Sequence, residues 1–546
     1  MEVSPRLEGS HATASRSGLY IACIVTGRLH IYAVQAPERY TQVLTKVPAK
    51  EITALRWNND DGRIAVVSNR LIDVVDLVDS SRHVRLDNGS GGLGKFASVD
   101  FVGPEQLLVI WEFGKAKIWN LINGRAVDLP DVKTTCSGDR WRARPSDGGT
   151  SAVATLSRNG AEDLLCLYLP ATQKNFTARK TPTIDAQSLT WSPDGRWLAV
   201  LDTPISNSSV QFYTPDGHHF RSYSNSHDHD SSGLGVRSIA WAGDSSVVGL
   251  TRHDGKIVLL NTRTFTTLAV IEHNVCIDQT SQPNEKQAPI WEEAVAASGE
   301  RTYTAIPQPF APPLSRTKSS AEPEENGVAE ACFSSDGSYL ATRDERMLNT
   351  VWIWSVSSLS AHAVLVQHSN VRKMHWHPTR PDELLLDCGE SVAYRFKASI
   401  PQEPATPLRS PITGSSTLAW LHTSHSSPPV ILCSTKASSV LLYPEGKPTQ
   451  QDTGQTADES FVSEGAEDEI EDSLLDLLTG KTPLPPKTEP SYTERVDLEI
   501  ESEEGGSTTR MDDTFRGKRV FRDDNVAVTR GTSEADHDPF DDSDIF

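Results

Sequence analysis

A glycine-rich run is the strongest candidate for nucleotide chemistry in this chain of 546 residues. It reads Gly-Ser-Gly-Gly-Leu-Gly-Lys-Phe from Gly89 to Phe96 and matches the first seven positions of a phosphate-binding P-loop. A P-loop also needs a serine or threonine after the lysine to bind Mg²⁺, and a helix whose N-terminus points at the phosphate. Phe96 replaces that hydroxyl, and the residues after it alternate as in a β-strand. We therefore interpret the run as a loop between strands.

Two pairs of histidines invite comparison with a metal site. His227 and His229 lie in a segment rich in Ser, Asn, Asp and Gly, whereas His375 and His377 flank Trp376. A structural zinc site needs four ligands, and neither pair has a cysteine or third histidine at ligand spacing. We therefore expect structural or solvent-exposed histidines, and no metal or other cofactor.

Catalysis by a serine hydrolase is not expected from this sequence. The chain contains no Gly-x-Ser-x-Gly nucleophile motif. It also lacks a stretch of alternating strand and helix patterns that would form a catalytic domain. We predict no catalytic residues and a protein that is not an enzyme.

Composition restricts the compartment and the ligands. Seven cysteines are spread along the chain without a Cys-x-x-Cys pair, which is typical of a reducing compartment. The apolar stretch Tyr20–Val25 is too short for a signal peptide core or a membrane span, so we expect a soluble protein of the cytosol or nucleus. The formal net charge of −21 disfavours nucleic acid as a main ligand, because phosphate neutralisation needs a concentrated basic surface.

The negative charge is concentrated at one end of the chain. From Lys447 to Phe546 there are 27 acidic and 10 basic residues, a net charge of −17, which leaves −4 for the first 446 residues. The last hundred residues are also polar and interrupted by proline, a composition typical of disorder. The first 446 residues therefore form the region in which a folded core is expected.

What recurs in that region is a short alternating segment that ends in a large aromatic residue. Spacings of 43 or 44 residues separate several copies, and a degenerate copy is expected near Ala152 to Leu156. The copies end at Trp57, Phe101, Trp191, Trp241, Phe333, Trp376 and Trp420. A repeat of this length indicates a propeller or another repeat architecture.

Each aromatic residue precedes a polar turn, an apolar strand and a further alternating strand. Asp194-Gly195, Asp254-Gly255 and Asp336-Gly337 are suited to these turns, because glycine adopts positive φ without strain. The later strands are centred near Ile31, Val74, Ile118, Leu167, Phe212, Leu259, Ile353, Tyr394 and Leu442. We predict an all-β fold, a WD40-like β-propeller of about nine degenerate blade units, arranged in one or two rings.

These patterns divide the chain into three parts. We predict a disordered N-terminus at 1–17, a propeller region at 18–445 and a disordered acidic tail at 446–546. Between Asn274 and Asn326 the repeat lapses into Pro, Ser, Glu and Lys, which predicts a disordered insertion at 274–326.

Two segments of the tail could bind a partner. Ile470, Leu474, Leu477 and Leu478 have the spacing of one helix face, so a short helix at 469–479 could fold into a partner's groove. An incidental apolar patch is an equally good explanation. A basic island from Phe515 to Arg522 could contact an acidic surface such as the tubulin lattice or an import receptor, although a solvated charge run explains it more simply.

Several stretches of the repeat resemble one family, the WD repeat-containing protein eight family of centrosomes and spindle pole bodies. The most specific stretch carries Leu-Ala-Thr-Arg343 followed by Asn349-Thr-Val-Trp352-Ile-Trp354, and it continues to the segment that ends at Trp376. A second runs from Gly235 to Asn261. The resemblance spans most of 18–445 and departs from the family at the first blade and in the tail.

The resemblance implies a non-enzymatic scaffold of a microtubule minus-end anchoring complex. Members of this family bind a coiled-coil microtubule-anchoring adaptor, and in fungi the complex works with a kinesin-14 type motor at the spindle pole body. The implied location is the cytoplasm and cytoskeleton, at the spindle pole body or centrosome, without a small-molecule substrate. The alternative is a WD40 substrate receptor or assembly platform in ubiquitin ligation or chromatin, because one fold supports many functions.

Overall fold

The computed structural model describes residues 1–447 except for a set of short segments. These are 39, 47–50, 80–82, 89–91, 146–151, 171–175, 205–208, 225–234, 279–286, 315–326, 413, 415 and 423–426. All statements on the structure refer to the residues so described. The tail beyond Lys447, with the predicted contact residues Ile470, Leu474, Leu477 and Leu478, lies outside them.

The described residues form nine β-sheets, of which eight are antiparallel and one is mixed, which confirms the prediction of an all-β propeller and gives it nine blades. Two short strands, β1 (Glu2–Val3) and β2 (Leu7–Glu8), precede the first blade. Blade 1 comprises β3 (Ser10–Ala14), β4 (Tyr20–Val25), β5 (Arg28–Ala33) and β6 (Tyr40–Lys46). Blade 2 comprises β7 (Ile52–Trp57), β8 (Arg63–Ser68), β9 (Leu71–Asp76) and β10 (His83–Asp87). Blade 3 comprises β11 (Phe96–Gly103), β12 (Gln106–Trp111), β13 (Ala116–Asn120) and β14 (Ala126–Leu129).

Blades 4 to 6 repeat this order of four strands. Blade 4 comprises β15 (Trp141–Ala143), β16 (Val153–Asn159), β17 (Glu162–Tyr168) and β18 (Phe176–Lys180). Blade 5 comprises β19 (Ser188–Trp191), β20 (Leu198–Leu201), β21 (Ser209–Tyr213) and β22 (His219–Ser224). Blade 6 comprises β23 (Val236–Trp241), β24 (Val247–Arg252), β25 (Lys256–Asn261) and β26 (Thr267–Glu272).

Blades 7 and 9 depart from the simple pattern. The hairpin β27 (Ile290–Val295) and β28 (Arg301–Ile306) precedes blade 7, which comprises β29 (Val328–Phe333), β30 (Tyr339–Asp344), β31 (Thr350–Ser355) and β32 (Ser360–Val366), with a 3₁₀ turn η1 (Glu345–Met347) between β30 and β31. Blade 8 comprises β33 (Lys373–Trp376), β34 (Glu383–Asp387), β35 (Val392–Lys397) and β36 (Thr406–Arg409). Blade 9 comprises β37 (Thr417–Trp420), β38 (Ile431–Ser434) and β39 (Ser438–Tyr443).

The N-terminus completes the ninth blade and closes the ring. Glu2 lies opposite Tyr443 in the antiparallel pair of β1 with β39, and Leu7 lies opposite Ser439 in the pair of β2 with β39. β3 of blade 1 also contacts β39 of blade 9. The prediction that residues 1–17 are disordered is wrong, because three strands lie there. Their pairing partner is more than four hundred residues away in the chain, so local sequence patterns did not indicate it.

Side chains that alternate along an inner strand belong to two different hydrophobic cores, one on each face of the blade. In β12, Leu107 and Val109 face blade 2, whereas Leu108 and Ile110 face blade 4. Successive side chains of a strand point to opposite faces, so a strand inside a propeller is apolar on both faces. The described residues contain nine hydrophobic clusters of buried side chains. One lies at each junction between neighbouring blades, including the junction of blade 9 with blade 1. A single ring of nine blades follows.

The recurring aromatic residue connects neighbouring blades through its side chain. It lies at or near the end of the first strand in seven of the nine blades, and the first strands of several neighbouring blades contact one another. The indole N–H of Trp376 donates to the carbonyl of Cys332 at 2.9 Å, and that of Trp420 donates to the carbonyl of His375 at 2.9 Å. Trp57 and Trp191 donate in the same way to the carbonyls of Thr13 and Arg142. The aromatic spacing therefore equals the distance in sequence from one blade to the next.

The fourth blade differs from the sequence-based expectation. A degenerate copy of the first strand was predicted near Ala152 to Leu156, but these residues contribute to β16, the second strand of the blade. The first strand is β15, which has only three residues and ends in Ala143 instead of an aromatic residue. The carbonyl of Arg142 in β15 still accepts the hydrogen bond from Trp191, so the inter-blade contact is kept where the sequence signal is lost.

The predicted disordered insertion at 274–326 contains a folded hairpin, so that prediction is wrong for β27 and β28. β27 pairs in parallel with β32 and extends the sheet of blade 7 to six strands. Trp291 donates its indole N–H to the carbonyl of Pro401 at 3.0 Å, and the buried carboxylate of Glu293 accepts from the Tyr394 hydroxyl at 2.7 Å. The hairpin therefore holds blade 7 against blade 8. Its short strands, charged residues and flanking prolines hid the pattern.

The inter-blade indole bonds predict a specific loss of stability. We expect Trp376→Phe to lower the free energy of unfolding by about 1 kcal/mol, because it keeps an aromatic ring but removes the indole donor to the Cys332 carbonyl. Trp241→Phe is the matched control, since the indole nitrogen of Trp241 has no hydrogen-bond partner within the described residues. Denaturant titration of both variants measures the difference. Equal losses would contradict a role for the hydrogen bond.

The N-terminal closure predicts a second effect. Deleting residues 1–9 should lower the melting temperature by several degrees, because β39 loses its pairing partner and Leu7 leaves the junction of blades 9 and 1. Adding a synthetic peptide of residues 1–9 in excess should restore part of the loss, and a scrambled peptide should not. Unchanged melting of the deleted protein would show that the ring does not need this closure.

Candidate protein-binding sites

The glycine-rich run has the structure expected of a loop. Residues 89–91 lie outside the described residues, but Gly94 has φ of +82° and its carbonyl accepts from the Asn88 side chain at 2.7 Å. Phe96 is the first residue of β11, so a strand follows the glycines where a P-loop would have a helix. The run thus lacks the helix N-terminus and the Mg²⁺-binding hydroxyl that phosphate binding requires.

The two histidine pairs do not form a metal site in the described part of the chain, where no group of three potential ligands occurs. His227 and His229 lie outside that part. His377 is buried, its Nδ1 accepts the backbone N–H groups of Thr379 and Arg380, and its ring lies 4.8 Å from that of Trp420. Burial lowers the pKa of His377 to about 4. His377 is therefore a neutral histidine that holds the turn after β33.

One buried cluster has the residue types of a catalytic triad. His273 lies 2.7 Å from the Thr342 hydroxyl through Nε2, and its Nδ1 lies 3.4 Å from Asp344. Burial alone would raise the pKa of Asp344, but the nearby His273 and the hydrogen bonds from Arg346 lower it to about 2. The Thr342 hydroxyl also accepts the indole N–H of Trp354 at 2.8 Å.

Whether this cluster could be catalytic depends on whether a substrate can reach it. His273, Thr342 and Asp344 are all buried, so a substrate cannot reach the hydroxyl. The histidine follows the last strand of blade 6, whereas the other residues belong to blade 7. The cluster therefore joins two blades.

A cavity of about 450 Å³ lies at the seam where blade 9 meets blade 1. We call it the seam pocket. Its apolar lining comes from Leu19, Val34, Pro428, Val430 and Tyr443, and polar atoms come from Gln35, Thr379 and His422. The Tyr443 hydroxyl donates to the carbonyl of Val34 at 2.9 Å and so fixes the two walls against each other. This volume and composition suit one or two apolar side chains of a partner.

Local backbone geometry shapes the mouth of the seam pocket. Gly18 has φ of +73°, and a Cβ atom there would lie 2.5 Å from the carbonyl oxygen of His422. Only glycine allows the β3–β4 turn to approach the ninth blade this closely. The approach places Leu19 at the rim, where it is 53% exposed. An apolar side chain held in water at the rim of an apolar cavity marks a surface suited to protein binding.

The nearby charges are already paired within the propeller. Lys447 lies 2.8 Å from Glu38, and Arg380 contacts Glu383 at 3.3 Å and Glu445 at 3.4 Å. The seam pocket thus offers mainly apolar contact. Sequence analysis missed it because its walls come from residues 17–35 and 379–443, which become neighbours only when the ring closes. Only the pairing of the N-terminus with β39 brings these residues together, and local sequence patterns do not indicate that pairing.

Comparisons with known proteins find similarity to WD repeat-containing proteins. No family model matches the chain. It is 26% identical over 393 residues to an uncharacterised WD repeat-containing protein of Schizosaccharomyces pombe, covering 70% of this chain and 77% of that protein. It is also 26% identical over 410 residues to the WD repeat-containing protein WRAP73 of Mus musculus, covering 71% of this chain and 85% of that protein.

Solved structures of low sequence identity also align with the chain. A crystal structure of the eukaryotic initiation factor is 11% identical with a TM-score of 0.48, covering 75% of this chain and 90% of that chain. The C-terminal WD40 domain of Sif2 is 10% identical with a TM-score of 0.42, covering 81% and 98%. Separately, none of the helices among the described residues is long and apolar enough to cross a lipid bilayer.

The buried histidine of blade 8 predicts a pH dependence of stability. The unfolded chain protonates His377 near pH 6.5, whereas the folded chain does so only near pH 4. The free energy of unfolding should therefore fall as pH drops through this window, by about 1–3 kcal/mol from this residue. In His377→Asn, whose side-chain oxygen can replace Nδ1 as acceptor, the fall should be smaller by that amount. Denaturant titrations between pH 7 and pH 4.5 measure both slopes, and equal slopes would contradict the assignment.

Proposed function

We propose that this protein is the non-enzymatic WD40 scaffold of a microtubule minus-end anchoring complex at the spindle pole body or centrosome. The observation that carries the proposal is the stretch from Leu340 to Trp354, which resembles the WD repeat-containing protein eight family. The two WD-repeat relatives support the coarser part of the proposal, a propeller with a scaffold or protein-binding role. The adaptor, the motor and the location belong to the proposal.

The family-like stretch is part of the propeller core. It forms β30 and β31, in which Leu340 lies opposite Trp354 and Thr342 lies opposite Trp352. Both tryptophans are buried, and their rings stack 5.6 Å apart. A buried stretch cannot itself bind an adaptor, so partner binding must use an exposed surface elsewhere on the ring.

We assign the adaptor to the seam pocket. A helix of the adaptor can carry one or two apolar side chains outside its coiled-coil seam, and an apolar cavity at a rigid junction can accept them. Leu19 at the rim would lose its exposed apolar surface when the helix binds. The kinesin-14 type motor would then join through the assembled complex, at microtubule minus ends in the cytoplasm.

The proposal predicts which proteins lie near the full-length chain in dividing cells. A biotin-ligase fusion should label spindle-pole components and a coiled-coil protein, and Leu19→Asp should reduce that labelling about ten-fold, because a carboxylate at the rim opposes apolar burial. Ile122→Asp is the matched control: Ile122 is 64% exposed in the β13–β14 turn on the same face of the ring. Its labelling should match that of the wild type.

Two outcomes would contradict the proposal. Labelling without any pole or coiled-coil proteins would remove the assigned complex, and labelling dominated by ubiquitin-ligase subunits or histones would favour the substrate-receptor alternative. If pole proteins are labelled equally in Leu19→Asp and Ile122→Asp, the complex stands but the seam pocket is not the adaptor site.

A further inference from the structure

A second exposed apolar surface lies between the outer strands of blades 5 and 6, away from the seam pocket. Phe220 of β22 is 48% exposed, and Leu268 and Val270 of β26 are 49% and 51% exposed. Outer strands of a propeller face water, and about half of each of these side chains lies outside the core between the blades. We call this surface the 5/6 groove.

The register of the strands shows that side chains of β22 in blade 5 and of β26 in blade 6 project towards each other. Val270 lies opposite Val258, and Arg221 lies opposite Phe212; Val258 and Phe212 both belong to the core between blades 5 and 6. Directly paired residues of neighbouring strands project to the same face of a sheet. Val270 and Leu268, two residues apart on β26, therefore point towards blade 5, and Arg221 points towards blade 6.

Aromatic packing makes the end of the groove rigid. The ring of Phe220 lies 4.8 Å from Trp197 and 5.9 Å from Phe265, and Phe265 stacks on Phe212 at 3.8 Å. Phe265 is buried, whereas half of Phe220 remains in water. A fixed, half-exposed aromatic side chain beside other apolar residues is typical of a protein-binding hot spot.

The charge around the groove selects the partner. Arg221 crosses to blade 6, where its guanidinium donates to the carbonyl of Thr264 at 2.6 Å. The neighbouring Arg263 is exposed, and within the described residues neither arginine forms an ion pair with a carboxylate. Asp216 in the adjacent turn of blade 5 is already bonded to Thr214 and His218. Two unpaired cations beside exposed apolar side chains complement a ligand that is both acidic and apolar.

We propose that the 5/6 groove binds a short acidic segment of a partner protein, with a Phe or Leu side chain between Asp or Glu residues. The apolar side chain packs on Phe220, Leu268 and Val270, and the carboxylates contact Arg221 and Arg263. Arginine binds carboxylates through paired N–H donors, so the charged contacts orient the segment while the apolar contacts supply most of the affinity. This inference does not depend on the adaptor or on the location proposed above.

Fluorescence anisotropy with the full chain and a defined peptide tests the proposal. The probe is a fluorescein-labelled peptide of about twelve residues, in which Phe and Leu alternate with Asp and Glu. We expect saturable binding that weakens as salt is raised, because part of the attraction is between charges. A peptide with Lys in place of Asp and Glu should bind at least about ten-fold more weakly.

Matched variants on the next blade separate the groove from general surface effects. Phe220→Ala with Leu268→Ala should weaken the acidic peptide at least about ten-fold, whereas Phe176→Ala should not, although Phe176 is 44% exposed on the outer strand of blade 4. Arg221→Glu with Arg263→Glu should weaken the acidic peptide similarly and improve binding of the lysine peptide. Arg179→Glu, an exposed arginine of β18, is the control for charge.

Several results would overturn the proposal. The proposal is wrong if the acidic peptide shows no saturable binding, or if the groove variants and the control variants lose the same affinity for it. It is also wrong if the acidic and lysine peptides bind with equal affinity. Tighter binding of a fluorescein-labelled single-stranded oligonucleotide would also overturn it, since aromatic and arginine side chains can bind bases and phosphates. Unchanged thermal melting of the groove variants is required, and Phe220→Leu provides a milder substitution if Phe220→Ala lowers it.

Discussion

Burial between blades is the constraint on which the rest of this structure depends. No blade has a hydrophobic core of its own. Each blade is a single β-sheet, and its apolar side chains are buried only where they pack against the neighbouring blade. Nine hydrophobic clusters, one at every junction, bury the apolar faces of neighbouring blades around the ring. A blade without both neighbours would expose one complete apolar face, so the ring is stable only when it is complete.

This constraint explains which parts of the fold the sequence could predict. The aromatic residue near the end of most first strands, the Asp-Gly turns of several blades and the alternation of the third strands are local patterns, and they identified the propeller and its nine units. Gly195, Gly255 and Gly337 have the positive φ expected of their turns. The strands at the N-terminus and the β27–β28 hairpin escaped prediction because their partners, β39 and β32, are determined by tertiary contact.

The surfaces suited to binding could not be predicted for the same reason. The seam pocket combines Leu19 with Val430, and the 5/6 groove combines Phe220 with Leu268, so each needs two blades to be adjacent. By contrast, the motifs that looked chemical from sequence have structural explanations. Phe96 begins a strand, and His377 is a buried neutral side chain. The alternating residues after Phe96 predicted the strand that the structure shows there, but only geometry located the exposed apolar surfaces.

The pairing of the N-terminus with β39 also has a consequence for synthesis of the chain. A ribosome releases Glu2 first, but its partner Tyr443 follows only after every blade has been translated. Blade 1 therefore waits throughout elongation with one apolar face unpaired, and the edge of β39 is covered only at the end. The nascent chain is therefore an open arc of blades until the residues of β39 have been synthesised.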